Sequence, residues 1–327
     1  MAPALSILMW PGMPADDALD AVEERIGMRV EAVAIATNEQ LEARLLAGER
    51  YDVVCPSDYM VERLARRGAL LELDHARLPG RRHLAAWTRD PSYDPGERFS
   101  VPLAFGTSGY LYDRARLPGA GGWDALFDPP DGVEVGMLGE LREVIGAALL
   151  ASGHDLNATG EEALADAEAL LARQAASVRR FDSDDFVTPV VEGTVAAHHA
   201  WSGPASIAVR AKPQLDYAIP PEGAVLWVTT AAVTAGCERP DAAHAAIEAL
   251  LDPAIARRTV ERNGYATPND AARRRLPPAL RDDPVLFPDE QVLARCSIVR
   301  DVGAAADRRL ERLWERVSRA GRSTLAG

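Results

Sequence analysis

Apolar and polar positions along the chain switch between strict alternation and one face of a repeat of about 3.6 residues, the two signatures of strand and helix. "ALSILMW" (residues 4–10) reads as a strand and "DDALDAVEERIG" (16–27) as an amphipathic helix. The same order recurs in "RVEAVAIA" (29–36), "NEQLEARLLAGE" (38–49), "YDVVCPS" (51–57) and "DYMVERLARRGA" (58–69). Strands alternating with helices in this way predict a parallel sheet with helices on its faces.

A stretch rich in proline and glycine, residues 75–100, interrupts the alternation before "VPLAFGTSGYLYD" (101–113) resumes it as a long strand. A second alternating block follows. It has a strand in "VEVGML" (133–138), helices over 141–153 and 160–181, a strand in "TVAAHHAW" (194–201), a helix over 203–212 and a strand in "DYAIP" (216–220). "EGAVLWVTTAAV" (222–233) is then a strand almost without interruption, leading to helices over 240–251, 253–264 and 301–320. Two α/β blocks joined by a return strand suggest two lobes that the chain crosses more than once, with a ligand cleft between them.

Composition narrows the function. With 327 residues, 47% of them apolar, the chain can bury a large core. Its 49 acidic against 36 basic residues give a formal charge of −13, which repels phosphate backbones and argues against nucleic acid as a partner. Cys55, Cys237 and Cys296 show neither metal-site nor disulfide-framework spacing and read as buried thiols. No apolar run reaches the length of a membrane span. The stretch "MAPALSILMWPGMP" lacks a basic head followed by a long apolar segment, so an exported form requires a signal peptide that is absent from this sequence.

Catalytic and phosphate-binding motifs are missing: there is no G-x-G-x-x-G after the first strand, no P-loop, no H-E-x-x-H and no G-x-S-x-G. His198 and His199 are neighbours on a strand, so they point to opposite faces and cannot share a metal without distortion. The acids of "FDSDDF" (181–186) lack the spacing of a calcium loop and read as a turn. No metal and no cofactor is expected.

What accumulates is a set of aromatic residues at the predicted carboxyl ends of strands and in one loop. Trp10, Tyr59 and Trp201 follow strands, Trp227 lies in the return strand beside Thr229 and Thr230, and Tyr265 stands in "GYATPN". In open α/β sheets ligands collect at such ends. Indole and phenol faces attract ammonium groups, by roughly 2 kcal/mol each when desolvated.

"YDVVCPSDYMVERLARRGALLELD", "LREVIGAALLASG", "VVEGTVAAHHAWSGPASIA", "IPPEGAVLW", "NGYATPNDAARRRLP" and "FPDE…RDVGAAA" follow one another as in the periplasmic spermidine/putrescine-binding proteins of ABC importers, which the chain resembles from about Ile7 to about Val317. The resemblance implies an α/β, two-lobe periplasmic-binding-protein fold that closes on a small solute about a hinge between the lobes. It implies delivery to an ABC permease in the membrane, a monomer in the periplasm, and no enzymatic chemistry. Lobe one is expected over 1–107 and 229–273, lobe two over 108–228 and 274–327, with the hinge through "FGTSG" and the strand after Trp227.

Carried over by position, Trp10, Ser57, Tyr59, Trp201, Trp227 and Tyr265 fall where the family contacts its ligand. Glu140 and Glu143 fall where it sets two carboxylates against ligand amines, and their spacing of three puts them on one helical face. The pattern departs elsewhere. Thr229 stands for a family aspartate, Pro11, Gly12 and Met13 for a threonine, a glutamate and a tyrosine, and Val299, followed by Arg300, for a glutamine. Part of the cation-pairing apparatus is therefore gone. The expected ligand is a polyamine or related small amine-bearing solute. The alternatives are an amino-acid-like zwitterion whose carboxylate meets Arg300 or a threonine, and, in another class, a hydrolase using Ser57 and a histidine.

Overall fold

The computed structural model describes residues 4–323. In chain order it contains β1 (Leu5–Met9), α1 (Asp16–Ile26), β2 (Val30–Ala34), α2 (Asn38–Leu46), β3 (Val53–Val54), α3 (Asp58–Arg66) and, after three short 3-10 turns, β4 (Ser100–Asp113). Next come α4 (Asp124–Phe127), β5 (Val135–Met137), α5 (Leu141–Ala151), α6 (Glu161–Gln174), β6 (Val178–Phe181), α7 (Thr188–Val191), β7 (Ala197–Trp201), α8 (Ser202–Ala211) and β8 (Leu215–Ala218). The chain closes with β9 (Val225–Val233), α9 (Pro240–Leu250), α10 (Pro253–Asn263), α11 (Asp270–Arg273), α12 (Pro278–Arg281), α13 (Glu290–Leu293) and α14 (Ala304–Ser323).

These elements form two compact units. Unit 1 takes the chain up to Phe105 together with Trp227–Asp283, and unit 2 takes Gly106–Leu226 together with the chain from Pro284 onward. The breaks fall after residues 105, 226 and 283, where the sequence suggested 107, 228 and 273. The last difference has a local cause, since the Arg273 guanidinium at the end of α11 donates to the Arg281 carbonyl and ties the following segment to α11 and α10. Residues 1–3 and 324–327 of the expected lobes lie outside the described residues.

In unit 1 the strand order is β2-β1-β3-β9. β1 is parallel to β2 and β3, as the alternation predicts. β9 is antiparallel to β3, through Val53↔Val233 and Val54↔Ala232, so the sheet is mixed rather than wholly parallel. The reason is connectivity: β9 is a return strand, not the end of a βαβ crossover. Leu5, Ile7, Val53, Ala231 and Val233 meet Leu19 and Val22 of α1 and Ile247 and Leu250 of α9 in one core.

Unit 2 pairs β4 antiparallel with both β7 and β8, and β5 parallel with β7 and β6. Its helix over 160–181 is shorter than the periodicity predicts. α6 stops at Gln174, whose buried amide donates to the Leu126 carbonyl at 2.8 Å, and Val178–Phe181 becomes β6. Pairing with β5 outweighs the helical propensity of the preceding alanines. α14 packs on α5, α6 and β6. Among the described residues no helix is long and apolar enough to cross a membrane.

Candidate functional site

Six of the nine residues singled out in the sequence belong to unit 1. The register Leu8↔Val54 and Val54↔Ala232, extended by the bridge Ser57↔Thr229, sets the end of β1, the start of α3 and the start of β9 at one end of the sheet. Trp10, Ser57, Trp227 and Thr229 are thereby brought together. Tyr265 joins them because α10 ends at Gly264 in the left-handed region (φ 71°), a conformation that suits glycine. Its ring stands edge-on to Trp227, with centroids 5.2 Å apart. Burial pushes the Tyr265 phenol up to about 12, so it stays protonated.

Ser57 is held from two sides. Its N–H donates to Asn38 Oδ1 (3.0 Å), and its Oγ accepts from Asn38 Nδ2 (3.1 Å). The neighbouring Asp58 is buried. Its carboxylate accepts the Tyr59 N–H (2.7 Å) and the Val228 N–H (3.0 Å), which clamps the first turn of α3 to β9 between Trp227 and Thr229. Thr230 donates its hydroxyl to the Pro56 carbonyl (3.0 Å). Tyr59 is drawn elsewhere: its hydroxyl donates to Glu39 (2.9 Å), and the Arg63 guanidinium lies 5.9 Å from its ring centre. Asn38 and Asp58 escaped the sequence reading, because their partners lie 19 and 170 positions away.

Glu140, Glu143 and Trp201 belong to unit 2. Glu140 is the N-cap of α5 and Glu143 lies in its first turn. Trp201 ends β7 and donates its indole N–H to Glu143 Oε1 at 3.1 Å. Burial pushes the Glu143 carboxyl up to about 7, and the charge on Glu140 adds to the rise. The Trp201 N–H, Ser108 and Arg142 act the other way without cancelling it. Ser108 Oγ and Glu143 Oε2 are nevertheless both buried without a hydrogen bond of ordinary geometry. An acceptor left in that condition gains most from a donor that also carries positive charge.

The Arg142 guanidinium donates to the Arg300 carbonyl (3.2 Å) and to Asn157 Oδ1 (3.1 Å), and the Arg300 N–H also reaches Asn157 Oδ1 (2.8 Å). This network holds the segment after Ile298 on α5 and leaves Val299 buried. In unit 1, Gly12 turns the chain after Trp10 with φ 66°, and Met13 is buried.

His198 and His199 are fully buried in β7, against Phe186 and Trp123 respectively. Burial pushes them down to about 4 and about 3, so both are neutral core residues near pH 7. Among the described residues the hydrogen bonds given for the Ser57 side chain and N–H go to Asn38. The three cysteines are free, Cys55 buried and the others half-buried, and burial raises all three thiols.

Comparison with known proteins gives the family and the fold. Residues 17–288 match the family described as bacterial extracellular solute-binding protein. A spermidine/putrescine-binding periplasmic protein of Haemophilus influenzae is 32% identical over 90% of this chain and 84% of its own length. The putrescine/cadaverine-binding protein of Pseudomonas aeruginosa is 31% identical over 97% of this chain and 94% of its own. A solved structure from Listeria monocytogenes, described provisionally as a spermidine/putrescine ABC transporter, superposes with a TM-score of 0.90 at 26% identity, covering 96% of this chain and 98% of that one. The fold is the two-lobe fold of periplasmic binding proteins.

Proposed function

The chain belongs to the bacterial extracellular solute-binding protein family, and from that premise we propose that it binds a polyamine or related small amine-bearing solute and delivers it to the membrane permease of an ABC importer. It is a transport solute-binding protein and not an enzyme. The names of the Haemophilus and Pseudomonas relatives support the solute class and, for the former, a periplasmic setting.

Glu143 carries this reading. Its Oε2 is a buried acceptor without a hydrogen bond of ordinary geometry, at the start of a helix and beside the indole of Trp201. An ammonium brought there from water needs an ionised partner, and Glu143 supplies it once its proton leaves. The aromatic group Trp10, Trp227 and Tyr265 of unit 1 offers indole and phenol faces of the kind that attract an amine and its apolar chain. Calorimetric titration with putrescine and spermidine tests the proposal: Glu143→Gln is expected to weaken whichever amine binds by more than about tenfold, that is about 1.4 kcal/mol. Equal binding by wild type and Glu143→Gln sinks the assignment and directs the search to neutral or anionic solutes.

A further inference from the structure

Within unit 2, one rung of the sheet presents two donors to Glu143. Ser108 of β4 is the register partner of Trp201 of β7, and side chains directly opposite each other in an antiparallel pair share one face of the sheet. From that face the Trp201 indole N–H donates to Glu143 Oε1 at 3.1 Å. Ser108 is fully buried, and its Oγ and Glu143 Oε2 both lack a hydrogen bond of ordinary geometry. Burial raises the Glu143 carboxyl, and Trp201 and then Ser108 pull it back. The other polar groups around this rung are engaged. The Tyr217 hydroxyl accepts the Gly109 N–H (2.7 Å) and donates to the Thr107 carbonyl (2.8 Å), and burial keeps its phenol protonated. Ser202 Oγ accepts the Thr107 N–H (3.2 Å). The Arg142 guanidinium is spent on the Arg300 carbonyl and Asn157 Oδ1, and Glu140 carries the same charge as Glu143.

A hydroxyl both donates and accepts, and its proton rotates to suit the partner. Toward a protonated Glu143, Ser108 is the acceptor; toward the carboxylate, it turns and donates to Oε2. We infer that Ser108 is a positioning residue for the ammonium site, holding the Glu143 carboxyl in one orientation in both states and favouring the ionised state that an amine requires. A hydrogen bond to a charged group is worth more than the same bond to a neutral one, so loss of the hydroxyl penalises the carboxylate more than the acid. The inference rests on the reading that Glu143 binds an ammonium.

The carbon-13 resonance of the Glu143 carboxyl, followed through a pH titration of the ligand-free protein and identified by its loss in Glu143→Gln, tests this. Ser108→Ala is expected to move the midpoint up by about one pH unit, a tenfold gain in proton affinity. Calorimetric titration with putrescine and spermidine should then find Ser108→Ala about fivefold weaker than wild type at pH 7, where most of its Glu143 is protonated, and close to wild type at pH 9, where both proteins are ionised. Ser108→Cys, of nearly the same size and a weaker donor, should fall between the two, and it carries the test if circular dichroism shows Ser108→Ala to be unfolded. An unchanged midpoint, or equal weakening at both pH values, overturns the role of Ser108 and leaves the proposed function standing on the loss of binding in Glu143→Gln. Failure of both amines to bind wild type, or equal binding by Glu143→Gln, overturns the proposed function and this inference with it.

Discussion

Burial lifts Glu143 from the ordinary 4.5 to about 7, so the folded protein retains a proton that the unfolded chain releases between those values. For a carboxyl raised in this way, stability is greatest below the unfolded value and falls as pH rises toward the folded one. Above pH 7 the ionised group costs about 3 to 4 kcal/mol at roughly 1.4 kcal/mol per pH unit. Glu143→Gln should therefore raise the melting temperature at pH 8 and leave it nearly unchanged at pH 5, although it weakens amine binding. Equal shifts at both pH values would show that Glu143 ionises normally. A bound ammonium holds the carboxylate ionised, so amine affinity should fall by about tenfold for each pH unit below 7. Titrations in two buffers of different ionisation enthalpy should register the released proton. Thr229→Asp returns an acceptor to the start of β9 and should tighten putrescine binding by about tenfold; unchanged affinity would place position 229 away from the ligand.

At the scale of elements, the clamp between α3 and β9 depends on a single carboxylate. Asp58→Ala leaves the buried Val228 N–H without its acceptor and should cost about 2 to 3 kcal/mol in urea unfolding, with a shift in Trp227 emission. An unchanged midpoint would mean that another group replaces it. β7 imposes a pH limit of opposite sense. The folded values of His198 and His199 lie below the ordinary 6.5, so the unfolded chain takes up protons first, and stability present above pH 6.5 is lost as pH falls toward 4 and 3. His199→Leu should flatten the stability profile in that window, as thermal melts at pH 7 and pH 4.5 can check. Strands and helices were legible where one face is apolar, as in α1, α5 and β9. The strand Val178–Phe181 was not, because four residues after an alanine-rich helix acquire their state from pairing with β5. Trp10 was legible as the residue that follows β1, and Trp227 and Thr229 as residues within the return strand β9. Asn38 and Asp58 were not, since nothing local to them announces contacts made across the fold.

For the whole molecule, ligand binding should appear as added stability. At about a hundredfold excess of ligand over the dissociation constant, mass action contributes about 2.7 kcal/mol, visible as a rise in melting temperature that Glu143→Gln should cut to about half or less. An undiminished rise in the variant would locate binding elsewhere. The division of the chain has a further consequence, for biosynthesis. Unit 1 is assembled from two separated segments, and its first segment lacks β9, the antiparallel partner of β3, as well as α9 and α10, against which α1 packs. A ribosome that has delivered only the first 105 residues has released a sheet with an open edge and a helix with an uncovered face. Unit 2, interrupted in the same way, waits for α14 to cover α5 and α6. Neither unit can complete its core until most of the chain has been synthesised, so both should become resistant to proteolysis only late in translation.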